Sequence, residues 1–229
     1  RLRLRQGVRP RTRERLQAEI AMAVTNIVIP IIETKVMSIV LVGDSPLICH
    51  RFSEKAQKQM LDKQNKSAMQ ARPLRDREAE YMESLYHISD GVYGFPASGF
   101  KGAAVSACRF LDLKMTEARG AFHIPGDLLE IFGDPPRMRE DIVRLSMNKP
   151  DFRYRGEFPK WFVEVPVRFN AGALSESQIV NLFNVAGFGV GIGEWRPEKD
   201  GSYGMFHVAT GEEHIALAEA IIAIRAARA

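Results

Sequence analysis

The chain has little of what a metal centre, a redox site or a membrane span is built from. Cys49 and Cys108 are its only cysteines, they form no CxxC, and both stand among apolar neighbours. Neither a disulfide framework nor a zinc-ligand spacing is implied, and a reducing cytoplasm fits. His50, His87, His123, His207 and His214 are scattered, so their spacing defines no nucleophile–base pair. No apolar run reaches membrane-spanning length, since Ile27 to Ile32 is short and broken by Pro30. The basic start leads into a mixed segment without a cleavage-type site, which does not read as a signal peptide. The glycine-rich stretches follow neither Walker nor Rossmann spacing, which argues against nucleotide hydrolysis and dinucleotide binding. No cofactor, no metal and no membrane partner is expected.

Charge of one sign is also scarcer than the total suggests. Residues 1–15 hold seven arginines against one glutamate, a charge of +6, which leaves −2 for the rest of a chain whose total is +4. A case for a polyanionic ligand must therefore rest on local patches. The arm either binds polyanions or is upstream sequence without a role. The missing initial Met, with Met22 and Met37 downstream as natural starts, favours the second.

What is present is enough apolar residue, 45% of 229, for one large domain or one domain with an elaborated insertion. A helix is expected over Arg13 to Val24, with Leu16, Ile20 and Val24 on one face. Glu33 to Gly43 is β-branched and alternating, a core strand broken by Gly43-Asp44-Ser45-Pro46, with a short return strand over Leu47 to Phe52. A helix begins at Ser53, a basic stretch from Lys63 to Arg77 reads as a solvated insertion, and Asp76 to Leu85 reads as a second helix. Ser89-Asp90-Gly91 makes a turn between short strands. A helix of small residues runs from Ser98 to about Leu113, and Gly120 to Ile124 is expected as strand. The polar, basic run 137–149 follows a rigid Asp134-Pro-Pro turn. Asp151 to Glu157 and Trp161 to Asn170 both alternate, and are expected to pair as a hairpin. Ser175 caps a helix whose face is Ile179, Leu182, Phe183 and Ala186. A last strand, Tyr203 to Ala209, precedes an Ala/Ile helix from Gly211 to Ala229. Without its insertions the order is β-α-β-β-α-β, a ferredoxin-like α+β fold with one antiparallel sheet. The expected division is an arm and helix over 1–33, a domain over 34–210 with an insertion at 53–92, and a terminal helix over 211–229.

Two stretches carry the chemistry. In Phe95-Pro-Ala-Ser-Gly-Phe-Lys-Gly-Ala103 a tight turn opens the small-residue helix, and such a start offers unpaired N–H groups and a positive dipole end to an anion. Ser98, Gly99, Lys101 and Gly102 stand there, with Arg109 further along; a first-turn lysine either contacts phosphate or is simply solvated. Gly187-Phe-Gly-Val-Gly-Ile-Gly-Glu-Trp-Arg196, running on to Gly-Ser-Tyr-Gly-Met-Phe206, is the other. Gly189, Gly191, Gly193, Trp195, Arg196 and Tyr203 are its candidates, Trp195 for stacking a base or plugging an interface. Glu194, Glu198 and Asp200 in the same loop have the sign that repels phosphate. On the strand between, Arg153 and Arg155 alternate with Phe152 and Tyr154. That pattern suits single-strand binding, although it reads first as a half-buried strand with its aromatics in the core and its arginines in water.

The first of these turns resembles the Pro-Gly-Ser-Ser-Leu-Lys-Gly turn of the RAMP superfamily, the ferredoxin-like RNA-binding subunits of CRISPR effector complexes. The second resembles that superfamily's C-terminal glycine-rich loop, which closes with a Gly-aromatic-Gly step into a strand. The resemblance covers roughly residues 34–209 and is closest to the backbone subunits that polymerise along guide RNA. It implies that the Lys-Gly helix start and the glycine-rich loop line an RNA path, and that a protruding hairpin wedges between bases. The whole chain also resembles a family encoded in phages and prophages, which implies a lone RAMP-like relative. The expected function is non-catalytic binding of single-stranded RNA or DNA, RNA foremost, with assembly into a homo-oligomer or filament along the ligand. Two other readings stay open: an assembly protein whose glycine loops form a subunit interface, and a metal-independent processing endoribonuclease using Asp44 or His50. Asp44 before Ser-Pro reads first as a turn residue.

Overall fold

The strand Thr34–Gly43 sets the frame of the computed structural model, which describes residues 31–52, 61, 75–144 and 150–228. In chain order the strands are β1 (Thr34–Gly43), β2 (Leu47–Cys49), β3 (Tyr86–Ser89), β4 (Val92–Pro96) and β5 (Phe122–His123). They continue with β6 (Leu128–Gly133), β7 (Arg137–Arg144), β8 (Pro150–Phe158), β9 (Trp161–Asn170) and β10 (Phe206–Val208). The helices are α1 (Arg77–Ser84), α2 (Ala97–Ala107), α3 (Met115–Ala121), α4 (Glu176–Gly189) and α5 (Gly211–Ala226). The basic arm, the helix expected over 13–24, the helix expected at Ser53 and the basic stretch over 63–74 lie outside the described residues.

The main sheet runs β10-β1-β9-β6-β4-β3, with β5 also on β9, and every pairing is antiparallel. Reduced to β1-α2-β6-β9-α4-β10, this is the ferredoxin-like arrangement with strand order β10-β1-β9-β6, extended past β6 by the β3–β4 hairpin. Alternation decides the layers. Ile39 and Leu41 of β1, with Val163, Val165, Val167 and Phe169 of β9, are buried in one core with Phe100 of α2 and Ile179, Leu182 and Phe183 of α4. Val40 points the other way, to a smaller core with Phe132, Ala209 and Ile221 of α5. There Phe132 and Phe162 stack with ring centroids 5.5 Å apart. Arg225 and Arg228 tie the end of α5 to Glu130 and Glu164 of the strands beneath.

Local chemistry accounts for the helix starts. Asp76 accepts from the Glu78 and Ala79 amides (both 3.1 Å) and begins α1. Ser175 and Gln178 form a capping box on α4. That helix ends against β10, and a Cβ on Gly187 would fall 1.7 Å from the Phe206 carbonyl oxygen, so only glycine permits the approach.

The expected pairing of 151–157 with 161–170 does not form. β8 pairs with β2 and β7 in a second, three-stranded sheet, while β9 pairs with β1, β5 and β6. Both arms do alternate, but β1 and β6 take the two edges of β9, and the chain changes sheets at Pro159-Lys160. The strand expected over 120–124 shortens to β5, because α3 holds Gly120 and Ala121. Among the described residues, no helix is long and apolar enough to cross a membrane.

Candidate nucleic-acid interface

A groove of about 360 Å³ lies where the start of α2 faces the loop between α4 and β10. One wall is Gly99, Gly102, Ala103 and Ser106 of α2; the other is Val190 to Glu194, with Arg196 and Glu198. His50, Tyr86 and Phe95 also line it. Phe95 is fixed edge-on between Tyr86 (5.8 Å) and Phe100 (5.6 Å). The two glycine-built stretches, remote in sequence, thus share one concavity. At Gly102 an added Cβ would meet nothing within 4 Å, so the helix presents bare backbone to open space.

The loop owes its path to left-handed backbone. Gly191 (φ 68°), Gly193 (φ 76°) and Gly204 (φ 63°) adopt it freely, while Trp195 (φ 54°) and Asp200 (φ 58°) adopt it as non-glycine residues. Such torsions persist when the surroundings over-determine them. At Trp195 they do: its carbonyl accepts from the Tyr203 amide (3.0 Å), and Arg196 Nη1 closes the preceding turn on the Gly193 carbonyl (3.0 Å). The Trp195 side chain is left 42% exposed. The loop is also pinned to the β1–β2 region, Glu194 N–H on the Ile48 carbonyl (3.0 Å) and Gly204 N–H on the Pro46 carbonyl (2.9 Å). Gly191 and Ile192 donate to Ala186 and Gly204. These amides are engaged within the protein, whereas at the start of α2 the Ala97 amide donates to the Asp127 carbonyl (2.9 Å) and the N-cap Pro96 supplies no side-chain cap.

The arginines of β8 depart from the sequence expectation. Arg155 was expected on a solvent face; its side chain is 7% exposed. It donates Nε–H to His50 Nδ1 (3.1 Å) and Nη1–H to Asp141 (3.2 Å), and lies 3.7 Å from Glu194. Because a guanidinium only donates, His50 Nδ1 is unprotonated. Burial first, and then the Arg155 charge, push the His50 pKa below the usual imidazole value. Tyr154, expected to stack a base, is buried, with the Arg75 and Arg77 guanidiniums over its ring at 5.9 and 5.6 Å. Both corrections have one cause. β8 is the middle strand of its sheet, with Leu85 packed against Gly156 on one side and the glycine loop reaching Arg155 on the other. Arg153 is less buried and pairs with Asp151 (2.9 Å).

The remaining candidates are distributed around the groove. Ser98 is exposed in the first turn of α2. Lys101 is not on the groove wall: Nζ donates to His123 Nδ1 (3.1 Å) and stands 5.8 Å from the Phe122 ring centroid. Arg109 pairs with Glu198, as does Arg196 (2.9 Å). Gly189 packs against the Phe110 ring. Tyr203 carries the Arg139 guanidinium 4.7 Å above its ring. Arg139 and Arg137 both bond Glu157, and although burial opposes it, these bonds hold the Glu157 pKa below the carboxylate norm.

Side chains not singled out as site candidates in the sequence also stand out, Phe152 among them although it belongs to the alternating pattern of β8. Phe152 (44% exposed) and Ile142 (65%) face each other across β7 and β8. They lie beyond the part of β8 that β2 covers, which reaches only Gly156. The available signal was position along the strand: Phe152 is near its start, Tyr154 near its middle. Phe110, whose ring lies against Gly189, and Phe188 are exposed as well. Among the described residues, no group of three His, Cys, Asp or Glu could hold a metal ion.

Fold and groove together define a ferredoxin-like α+β protein whose glycine loop faces the start of its first core helix. No family model matches the chain, and no curated protein matches it. Among solved structures it is similar to Cmr6 from Pyrococcus furiosus, with 12% identity and a TM-score of 0.43 over 78% of this chain and 100% of that one. It is also similar to a chain of the Type III-B Cmr-beta complex bound to cognate target RNA, with 13% identity and a TM-score of 0.42 over 78% of this chain and 60% of that one.

Proposed function

We propose that this chain is a RAMP-like protein that binds single-stranded nucleic acid, RNA foremost, along the groove between α2 and the glycine loop, and assembles along its ligand. The observation that carries the reading is the meeting of Gly99 and Gly102 with Gly191 and Gly193 across one open groove. At Gly102 bare backbone lets a sugar–phosphate strand come close, while Gly99, Gly191 and Gly193 give their space to Phe95, Pro197 and Ile48 and so bring the two walls into place. The start of α2, which no side chain caps, favours negative charge. Trp195, exposed on a pinned loop, offers a stacking face, and Phe152 with Ile142 offers a second, apolar one on the β7–β8 hairpin. Arg109, Arg196 and Arg153 supply cations near these faces, whereas Arg155 acts through the wall it supports. Lys101 stands off the groove wall, with one N–H on His123 Nδ1 and two left for a phosphate.

Fluorescence anisotropy of a labelled single-stranded RNA of about 30 nucleotides tests this, since single-strand binding weakens with salt at a slope of about −0.7 per phosphate neutralised. Gly102→Trp adds bulk where the helix faces open space; it is expected to leave the thermal melt unchanged and weaken binding at least tenfold. Unchanged binding in that variant refutes the groove as the path. A second reading, a subunit interface, is favoured by Ile215 and Ile222, exposed one above the other on α5. It predicts a concentration-dependent oligomer that forms without nucleic acid.

A further inference from the structure

The two arginines at the far end of the groove already hold an anion of the protein's own. Arg109 follows α2 and Arg196 lies in the glycine loop, yet both guanidiniums converge on the Glu198 carboxylate. Arg109 Nη2 bonds one oxygen, and Arg196 donates Nε–H (3.2 Å) and Nη2–H (2.9 Å) to the other. Each guanidinium is also moored to backbone, Arg109 Nε on the Ser106 carbonyl (3.1 Å) and Arg196 Nη1 on the Gly193 carbonyl (3.0 Å). Two preset planar forks around one pair of oxygens match a phosphate as well as a carboxylate.

We infer that Arg109 and Arg196 form a phosphodiester-binding site that Glu198 occupies in the free protein, making Glu198 a built-in competitor for the ligand. The inference rests on the nucleic-acid reading above and adds the control of that site. Three observations support it. Arg196 and Glu198 lie on the groove wall beside Ser106 and Gly102, so a strand in the groove passes the site. Phe110, 56% exposed, stands next to it with the Arg109 guanidinium 5.3 Å from its ring centroid, a surface for a neighbouring base. Glu198 sits in the single turn Pro197–Lys199, and its amide is held by the Val190 carbonyl (3.1 Å). Its side chain can therefore swing aside while the loop keeps its path. Although burial opposes it, the bonds from Arg196 and then Arg109 keep the Glu198 pKa below the carboxylate norm, so the competitor stays charged at neutral pH.

Swapping carboxylate for phosphate costs the protein an internal ion pair, and that cost disappears when residue 198 is neutral. Glu198→Gln is expected to bind the same single-stranded RNA about tenfold more tightly at moderate salt, with a salt slope steeper by about 0.7. Adding Arg109→Gln to that variant is expected to cancel both gains. Glu198→Asp, too short to reach both guanidiniums, is expected to shift binding in the same direction and serves if the Gln variant melts early. Inorganic tripolyphosphate, followed by the rise in melting temperature, probes the arginine pair without RNA. RNA binding and tripolyphosphate stabilisation both equal to wild type in the Gln and Asp variants overturn the competitor while leaving the groove reading intact. No RNA binding by any variant, with tripolyphosphate stabilising Glu198→Gln more than wild type, overturns the groove reading and keeps the competitor.

Discussion

Replacing Arg155 with alanine is expected to lower stability far more than replacing its neighbour Arg153. The Arg155 side chain is 7% exposed and bridges Asp141, His50 and Glu194 across three segments of chain. Removing one member of a buried ion pair costs about 3–5 kcal/mol, because the partner is left charged and dry. Here the lower end applies: Asp141 keeps Arg139 at 2.8 Å, and Glu194, 43% exposed, can return to water. A loss of about 3 kcal/mol in a domain of this size lowers the melting temperature by about 6–12 °C. Arg153 is 34% exposed and paired with Asp151 at the surface, so its removal is expected to cost under about 1 kcal/mol. Circular dichroism melts of both variants at neutral pH decide the matter. Equal melting temperatures for the two, with RNA binding lost only in Arg155→Ala, would refute the placement of Arg155 as wall rather than contact.

Phe152→Ala is expected to leave the melt within a few degrees, since the ring is half exposed. If Phe152 stacks a base, the same change weakens RNA binding by about 1–3 kcal/mol, measured by anisotropy. His207 lies between Asp44 (2.6 Å) and Glu213 (3.2 Å). Burial works against its charge, but hydrogen bonds to Asp44 and then Glu213 raise its pKa above the ordinary 6.5. A raised folded-state pKa means stability that is fully present below about pH 6.5 and fades as pH climbs through the higher folded value. Wild type is therefore expected to melt above His207→Gln at pH 5.5 and to lose that lead by pH 9, and a lead that grows with pH contradicts the assignment.

The sheet could be read from the chain because its strands declare themselves twice, in β-branched content and in alternation. β1 and β9 do both, and the helix between Ser175 and the glycines announces its start through Ser175 and Gln178. Pairing could not be read in the same way. Asp151 to Glu157 and Trp161 to Asn170 look like one hairpin because alternation records faces, not neighbours. The missing partner, β7, hides as a polar run because its Arg137 and Arg139 find Glu157 across the ladder. The same blindness misplaced Arg155 and Tyr154: one strand's pattern does not tell whether a second layer covers each face. The groove was partly legible, since glycine spacing marks where bare backbone and left-handed turns are needed. The Arg109–Glu198–Arg196 cluster was not, because it joins residues 89 apart in sequence through side chains alone.

The positions of α2, α4 and α5 have a consequence for how any polymer can lie on this molecule. With α2 and α4 packed over one side of the central strands and α5 roofing the middle of the other, the main sheet has no open pleated floor at its centre, and the uncovered surface is left to the outer end of the β7–β8 hairpin. On the proposed reading a strand would follow the rim between the α2 groove and that hairpin, its track drawn by backbone torsion at a handful of loop residues. Selectivity would then come from how sharply a chain can bend and where it can unstack, so sugar pucker and flexibility should matter to it more than the identity of any base.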